Sequence, residues 1–480
     1  MSGGDVVIVG GGPAAHRLAG RLHPLGHRGT VSVIGAEPRP AYNRALLGSV
    51  LDGTLSADRL TLPALPAAVR QLTGTRARSI DRARRTVHLD DGRTLPYDIL
   101  VLATGARPRI PDLPGLVTAR GQLAEGARTL RTATDCAPLP PGPVVVLGGG
   151  VLGVESALAL RRAGKEVTLV QRSARLMRRQ LDGPASGVLA QWAQSRGVTL
   201  HLGRQAQEYA PGKLVLDDGQ VLAAGTLLLC TGTRPETALA RASSLAVREG
   251  IVVDARLRTG DPLIHAMGDC AQHPDVTGTT LIQAWDQADA LAGILTATGT
   301  GYRPARHVLR PRIRGMDIVS LAPGATEQDT DTAVSLRDTA RGRYARLALR
   351  EGRIHTGVVV GPGAAVAAVS GLYTRDAPVP ADLLALLTGT DAPYAGGDAL
   401  ADDAVACHCN HVTFRRLKAA WAEGAHDSKA LARATRATTG CGGCTPVVRQ
   451  LCTTLAAAGA GAAGPAGTHT AVDTAGGGTP

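Results

Sequence analysis

The sequence predicts an α/β protein with two dinucleotide-binding (Rossmann-like) domains, a small α+β domain and a small helical domain that binds a metal centre. A short apolar run ends in glycines at residues 5–12, DVVIVGGG, and a helical pattern follows it. The same strand, tight turn and helix return at residues 143–150, PVVVLGGG. Four of the eight cysteines cluster near the C-terminus. Repeated strand–turn–helix units are typical of parallel sheets covered by helices.

The first glycine-rich turn suits a bound pyrophosphate. Gly10 allows the tight turn, Gly12 lets the backbone approach the phosphates, and Ala15 is small enough for the helix to pack against the strand. The N-terminus of that helix offers free N–H groups and the positive end of its dipole. Glu37 follows the second strand, so it is the candidate for binding the ribose hydroxyls.

The second turn repeats this spacing with Gly148, Gly150 and Gly153. Its second strand ends in Gln171-Arg172, at a point where a site for NADH often has an acid. Because no carboxylate stands there to repel a 2′-phosphate, Arg172 is free to pair with that phosphate. The pattern favours NADPH and leaves NADH open.

Composition excludes several other classes of protein. The net charge is +12, but the arginines are scattered and form no block of the kind that binds nucleic acid. Aromatic residues make up only 2% of the chain, which argues against platforms that stack bases. No stretch approaches the ~18 consecutive apolar residues of a membrane helix, and no export signal begins the chain. We therefore expect a cytoplasmic protein that binds neither nucleic acid nor membrane.

Two further phrases point to a family. Ala103-Thr104-Gly105 follows an apolar run before the second unit, and Gly268-Asp269 follows another run after it. Together with the two glycine-rich turns, these phrases resemble the two-dinucleotide-binding flavoprotein reductases from Asp5 to about residue 300. The resemblance implies that FAD binds to the first unit and NAD(P)H to the second.

The same resemblance implies roles for individual residues. Asp269 would contact the ribityl chain of FAD, and a helix from about Ala284 would point the positive end of its dipole at the flavin ring. Glu155 would contact the carboxamide end of the nicotinamide and help to set its distance from the flavin. The other residues expected at the two cofactors are Arg44, Thr104, Gly105, Gly232 and Gly268.

The region after the first helix separates the branches of this family. Disulfide reductases carry a cysteine pair there, whereas this chain has no cysteine before Cys136 and has YNRALLGS at residues 42–49 instead. That phrase, and the phrases at residues 176–182 and 250–273, resemble the flavin domain of assimilatory nitrite reductase large subunits and of nitrate reductase electron-transfer subunits.

The cysteine cluster consists of Cys407-x-Cys409 and Cys441-x-x-Cys444. Four thiolates in loops and at helix starts suit a 2Fe-2S cluster. A tetrahedral zinc site is the alternative, although zinc ribbons usually pair two C-x-x-C motifs on hairpins. The segment resembles the bacterioferritin-associated-ferredoxin-like domain, which implies 2Fe-2S. The other four cysteines are expected to be inert packing residues.

The segment between the two cysteine pairs has a helical pattern. Thr413 is the expected N-cap of a helix whose apolar face is Phe414, Leu417 and Trp421. Ser428 is the expected N-cap of a second helix.

These observations divide the chain into six segments. In order, we expect a FAD-binding domain (1–118 and 240–305), a NAD(P)H-binding domain (119–239), a small α+β domain (306–375), a linker (376–402), a 2Fe-2S domain (403–456) and a disordered tail (457–480).

The expected function is electron transfer from NAD(P)H through FAD and the cluster to a nitrate or nitrite reductase catalytic subunit. Nicotinamides give two electrons as hydride and a 2Fe-2S cluster accepts one, so a flavin is needed between them. Two other enzymes stay open: the FAD-binding subunit of an opine or amino-acid oxidase, and a ferredoxin-reductase-like enzyme. An iron-binding or iron-release module is the non-enzymatic alternative.

Overall fold

A computed structural model describes residues 3–274, 280–306, 308–323, 332–389, 402, 405–407, 410–440 and 442–462. The contacts within the chain divide it into two compact units, Met1–Ala399 and Leu400–Pro480. None of the helices in the described ranges is both long and apolar enough to cross a membrane.

The chain begins with a strand, a glycine-rich turn and a helix, as predicted. The first two helices are α1 (Pro13–Leu22) and α2 (Leu47–Leu51). The first eight strands are β1 (Val6–Val9), β2 (Val31–Gly35), β3 (Val69–Thr73), β4 (Ala77–Asp81), β5 (Thr86–Leu89), β6 (Thr94–Pro96), β7 (Ile99–Leu102) and β8 (Ala106–Pro108). Ala15, Leu18 and Leu22 recur at helical spacing on α1 and are fully buried, so this face anchors the helix.

The second strand–turn–helix unit lies in the next third of the chain. Its helices are α3 (Val151–Arg162), α4 (Gly183–Ser195) and α5 (Ala238–Ala242). Its strands are β9 (Ala127–Thr129), β10 (Val144–Leu147), β11 (Val167–Gln171), β12 (Val198–Leu202), β13 (Ala206–Ala210), β14 (Gly212–Leu216), β15 (Val221–Ala224), β16 (Thr226–Leu229) and β17 (Thr233–Pro235). Every residue of β10 and β16 is buried, as expected for central strands of a parallel sheet.

The chain then returns to the first sheet. This part consists of β18 (Ile251–Val252), β19 (Ile264–Ala266), β20 (Ala271–Gln272) and α6 (Leu281–Leu295). The first sheet has the order β19-β7-β1-β2-β3 and the second has the order β12-β11-β10-β16-β9, and all neighbours in both sheets are parallel. The predicted fold class, with two Rossmann-like domains, is confirmed.

A five-stranded antiparallel sheet follows. Its elements are β21 (Val308–Leu309), β22 (Asp317–Leu321), β23 (Thr332–Asp338), β24 (Arg343–Arg350), β25 (Arg353–Gly361), α7 (Gly363–Thr374) and α8 (Leu383–Thr388). The strands lie in the order β21-β22-β25-β24-β23, and α7 and α8 cover one face. Leu347, Val359 and Val366 are among the fully buried residues of its core.

The predicted linker at 376–402 is wrong at its N-terminal end. α8 lies inside that range, and its Leu386 and Leu387 are buried in the core of the antiparallel sheet. Asp382 caps this helix by accepting a hydrogen bond from the N–H of Ala385 at 2.9 Å. The Pro, Asp and Ala content of the segment is typical of a linker, so the short apolar helix was not predicted. Its two buried leucines remove enough apolar surface from water to hold the helix on the sheet. Residues 390–401 lie outside the described ranges.

The C-terminal unit contains β26 (Val405–Cys407), β27 (Val412–Thr413), α9 (Phe414–Ala422), α10 (Ser428–Thr435) and α11 (Thr445–Ala462). Thr413 caps α9 as predicted, and Phe414 and Leu417 are buried. Trp421 is only half-buried, and Ala420 is the third buried residue of that face.

The predicted cap of the second helix is wrong by one residue. Asp427, not Ser428, accepts the hydrogen bonds, from the N–H groups of Lys429 and Ala430 at 2.7 Å each. Both residue types are good N-caps, and the carboxylate also complements the positive end of the helix dipole.

The prediction of a disordered tail from Ala457 is wrong at its start, because α11 continues to Ala462. Alanine has the highest helix propensity, so the run of alanines extends a helix that is already formed. Residues 463–480 lie outside the described ranges.

Candidate functional site

The first glycine-rich turn has the shape of a phosphate cradle. Gly10 has φ +127°, and a Cβ there would overlap the carbonyl oxygen of Ala103. Gly12 is the N-cap of α1, and a Cβ on it would meet one atom within about 4.0 Å, the guanidinium Nη2 of Arg44. Open space, free helix N–H groups and a positive charge therefore meet at Gly12, which fits the pyrophosphate of FAD. Ala15 is fully buried, as its packing role requires.

Glu37 and Arg44 are brought together by the fold. Arg44 Nη2 lies 2.5 Å from Glu37 Oε1, and the hydroxyl of Tyr42 donates to Glu37 Oε2 at 2.6 Å. Burial raises the pKa of Tyr42 to about 12, so it remains a hydrogen-bond donor at neutral pH. Glu37 thus fixes the guanidinium that faces Gly12, in addition to its predicted role at the ribose.

Asp269 has a partner that sequence reasoning missed. Arg131 forms an ion pair with Asp269 through Nη2, and its Nε donates to the carbonyl oxygen of Ala106 at 3.2 Å. Arg131 follows β9 at the carboxyl edge of a parallel sheet, where ligands bind in such folds. Its position after that strand was the signal that could have identified it.

Gly268 of the same phrase is held by a buried glutamine. Gly268 has φ +74°, and its N–H donates to Gln287 Oε1 at 2.6 Å. Gln287 lies on α6, whose N-cap Thr280 accepts from the N–H of Gln283 at 3.3 Å. α6 begins at Leu281, three residues before the predicted start at Ala284.

Two Thr-Gly phrases, Thr104-Gly105 and Thr231-Gly232, form the connection between the nucleotide-binding units. β8 and β17, which directly follow Gly105 and Gly232, pair antiparallel. Gly105 has φ +75° and Gly232 has φ +96°, so each turn depends on glycine. The hydroxyl of Thr104 donates to the carbonyl oxygen of Glu236 at 2.6 Å, which ties the first phrase to the residue that follows β17. A direct contact of Thr104 with cofactor stays a prediction.

The second glycine-rich turn repeats the geometry of the first. Gly148 has φ +115°, and a Cβ there would overlap the carbonyl oxygen of Cys230. A Cβ on Gly153 would overlap the carbonyl oxygen of Gly148, whereas Gly150 caps α3 with nothing within 4 Å of a Cβ. Gly150 is therefore the open position, and the turn fits a second pyrophosphate. Arg172 is exposed just after β11.

Glu155 lies in the second turn of α3 and is largely buried, with 11% of its side chain exposed. Its Oε1 accepts a hydrogen bond from the backbone N–H of Arg312 at 2.7 Å, and the Arg312 guanidinium lies 3.9 Å away. Burial raises the pKa of Glu155, while both contacts with Arg312 lower it.

The cysteines of the larger unit have the environment of packing residues. Burial raises the pKa of Cys136 and of Cys230 to about 12, and it also raises the pKa of Cys270. A thiol that stays protonated at neutral pH is a poor nucleophile. This agrees with their predicted inertness.

Two of the four predicted cluster ligands are described. Cys407 ends β26 and is fully buried; Cys444 directly precedes α11 and is 7% exposed. The backbone N–H of Thr438 donates to Cys444 Sγ at 3.2 Å, an interaction that suits a cluster thiolate. Cys409 and Cys441 lie outside the described residues, and within the described ranges no group of three metal ligands is found. The four-cysteine ligand set stays a prediction.

Asn410 connects the two cysteine loops, and sequence reasoning missed it. Its Nδ2 donates to the carbonyl oxygen of Arg436 at 2.7 Å and to Thr439 Oγ1 at 3.2 Å. Asn410 follows the first cysteine pair, and Arg436 and Thr439 precede the second. This bridge holds the loops that carry Cys407 and Cys444 together.

Comparison with known proteins agrees with this geometry. The chain is 28% identical to the nitrite reductase (NAD(P)H) and to the assimilatory nitrate reductase electron transfer subunit of Bacillus subtilis (strain 168). Each alignment covers 93% of this chain, which spans 57% and 59% of the two relatives. The structure of a covalent putidaredoxin reductase–putidaredoxin complex superposes with a TM-score of 0.71 at 28% identity, over 81% of this chain and 96% of that one.

Two family models match the chain. Residues 405–453 match the BFD-like 2Fe-2S binding domain, and residues 4–290 match the pyridine nucleotide-disulphide oxidoreductase model. The chain therefore belongs to the pyridine nucleotide-disulphide oxidoreductase family, with FAD and NAD(P)H as cofactors and a 2Fe-2S domain after them.

Proposed function

We propose that this chain is the NAD(P)H-dependent electron-transfer partner of an assimilatory nitrate or nitrite reductase catalytic subunit. The observation that carries the proposal is the extent of the two Bacillus subtilis alignments, which cover 93% of the chain. The likeness to these relatives is therefore not confined to the flavin fold. In this proposal the chain delivers the electrons, and the catalytic subunit reduces the nitrogen oxide.

The proposed route begins at the nicotinamide. When bound, FAD would supply the conversion of the hydride of NAD(P)H into single electrons that a 2Fe-2S cluster accepts. The chain's own residues would bind and orient the reactants: Arg44 and the turn at Gly12 would hold the pyrophosphate of FAD, and Asp269 would contact its ribityl chain. Glu155 accepts a hydrogen bond from the nicotinamide carboxamide. Such positioning accounts for most of the catalysis required, since hydride transfer needs no acid or base from the protein.

The N-terminus of α6 is proposed to lie at the flavin ring. Thr280 and Gln283 form a reciprocal capping box, which fixes the first turn of the helix. The helix dipole then favours negative charge on the ring. The support for this placement is the contact between Gly268 and Gln287, which ties α6 to the Gly-Asp phrase.

Electrons are proposed to leave through Cys407, Cys409, Cys441 and Cys444. The test is a reconstituted assay with NADPH, the full-length chain and a nitrate reductase catalytic subunit, with nitrite as the measured product. Cys444→Ser should keep NADPH oxidation with ferricyanide, a small acceptor, and should lose nitrite formation. Full nitrite formation by this variant would mean that the flavin delivers electrons directly. Oxidation of an opine or amino acid with a companion subunit would instead favour the oxidase alternative.

A further inference from the structure

We propose that Arg312 is a positioning residue for the nicotinamide, because it holds the carboxylate of Glu155 in orientation and favours its charged form. Arg312 lies between β21 and β22, in the part built on the five-stranded antiparallel sheet with α7 and α8 (the antiparallel domain), and not in either nucleotide-binding unit. The inference rests on the proposed contact between Glu155 and the carboxamide, and it assigns to the antiparallel domain a part in binding NAD(P)H.

The two residues meet through a single carboxylate oxygen. Glu155 Oε1 accepts from the backbone N–H of Arg312 at 2.7 Å and faces its guanidinium at 3.9 Å. Among the described residues, Glu155 Oε2 makes no hydrogen bond. The second oxygen is thus the one left for the N–H of a carboxamide.

The backbone of Arg312 is held firmly. Its neighbours Pro311 and Ile313 are both buried, and the proline ring restricts the chain at that point. The N–H that orients Glu155 is therefore positioned by the packing of the antiparallel domain. Replacing the Arg312 side chain leaves this hydrogen-bond donor in place and removes only the guanidinium.

The guanidinium has a separate role, which is electrostatic. Burial raises the pKa of Glu155, and Arg312 is the charged group among the described residues that acts against this rise. Arg312 is itself only 26% exposed, and its Nε is buried with no hydrogen-bond acceptor in the described part of the chain. A guanidinium that is incompletely paired by the protein suits a site that a ligand completes.

An ionised carboxylate is the stronger acceptor for the carboxamide N–H, because charge-assisted hydrogen bonds exceed neutral ones. A fixed carboxamide in turn fixes the face and distance of the nicotinamide ring relative to the flavin. Loss of the Arg312 charge should therefore weaken binding of the nicotinamide half of the cofactor and spare its adenosine half.

The test measures binding to the full-length, FAD-loaded chain by calorimetry. The two probes are NADP⁺ and 2′-phospho-ADP-ribose, which lacks the nicotinamide. Arg312→Gln should weaken NADP⁺ about tenfold, the loss expected of one weakened charge-assisted hydrogen bond, and should leave the fragment unchanged. Arg312→Lys should recover most of the affinity. Arg314→Gln, at an exposed arginine two residues away, should change neither probe.

The pH dependence separates positioning from a loss of folding. Without the guanidinium the pKa of Glu155 rises further, so this carboxylate takes up its proton at a higher pH. As the pH is lowered, NADP⁺ binding by Arg312→Gln should therefore weaken at a higher pH than binding by the unaltered protein. An equal loss for NADP⁺ and the fragment, or an unchanged pH profile, would overturn the inference.

A double-mutant cycle tells this inference apart from the proposed site. If Glu155→Gln leaves NADP⁺ affinity unchanged, the nicotinamide does not lie at Glu155. The proposed contact of Glu155 with the carboxamide and the role of Arg312 are then both wrong. If Glu155→Gln weakens NADP⁺ and Arg312→Gln adds its full effect in that background, only the role of Arg312 is wrong. No further loss in the double variant supports both.

Discussion

Gln171 Oε1 accepts a hydrogen bond from the backbone N–H of Gly149 at 3.0 Å, which joins the end of β11 to the second glycine-rich turn. An acid at the end of this strand would accept hydrogen bonds from the ribose of NADH. Here the side chain is a neutral amide and is already bound to the turn. The adjacent Arg172 is exposed and is the nearest charge in the sequence to this point.

Replacing Arg172 should therefore change the choice between the two nicotinamides. We predict that Arg172→Ala weakens NADPH by ~1–3 kcal/mol, the range for a lost charge-assisted contact, and leaves NADH unchanged. Dissociation constants for both cofactors provide the measurement. Arg120→Ala, at another exposed arginine, is the matched control. An equal loss for NADPH and NADH would show that Arg172 does not contact the 2′-phosphate.

The first glycine-rich turn should not tolerate a side chain at Gly10. A Cβ there would overlap the backbone of Ala103, and φ of +127° is unfavourable for other residues. Gly10→Ala should cost roughly 1–3 kcal/mol of stability and lower the FAD content of the purified protein.

Gly48 is the control for this prediction, because it lies in α2 with nothing within 4 Å of a Cβ. Gly48→Ala should be neutral or slightly stabilising, since alanine is the better helix former. Thermal unfolding and FAD absorbance check both variants, and full FAD occupancy in Gly10→Ala would contradict the proposed cradle.

The described cysteines of the C-terminal unit should differ in their need for iron. Cys407→Ser should abolish iron binding and keep reduction of FAD by NAD(P)H, because thiolates hold the cluster and not the flavin. Cys452→Ser, at a partly buried cysteine on α11, should retain the iron. Iron and zinc analysis of anaerobically purified protein provides the measurement, and stoichiometric zinc in place of iron would contradict the cluster.

Asp286 on α6 should make stability depend on pH. Burial raises its pKa to about 6 from an ordinary value of 3.8, although Arg17 lowers it. Between about pH 4 and pH 6 the folded state therefore binds more protons at Asp286 than the unfolded state does. The free energy of unfolding falls as the pH rises through that interval. Relative to the unaltered protein, Asp286→Asn should gain roughly 1–3 kcal/mol on going from pH 4 to pH 7.

Asp289 supplies the contrast for this prediction. It pairs with Arg17 at 2.5 Å, so Asp289→Asn should be destabilising at pH 7. It should keep most of the decline between pH 4 and pH 6, because burial raises the pKa of Asp286 more than the charge of Asp289 does. Denaturant unfolding followed by flavin fluorescence measures both curves. An unchanged pH dependence in Asp286→Asn would assign the decline to other groups.

Local signals were the most predictable from the sequence. Gly10, Gly148 and the cap at Thr413 depend on φ angles and short-range hydrogen bonds, which a few neighbouring residues decide. One error arose where two neighbouring residues, Asp427 and Ser428, are both good N-caps and the sequence did not favour either clearly. The linker prediction failed at α8, because its composition hid two leucines whose burial depends on a sheet formed by residues far away in sequence.

The sequence by itself determined that two dinucleotide-binding units and a cysteine domain follow one another, because the glycine-rich turns and the cysteine pairs are motifs of a few neighbouring residues. Only the tertiary structure decided which distant side chains meet: Arg131 with Asp269, and Arg312 with Glu155. The two residues of each pair lie in segments that are far apart in the sequence. The parallel sheets and the packing of the antiparallel domain bring those segments together, and no local sequence pattern predicts such a contact.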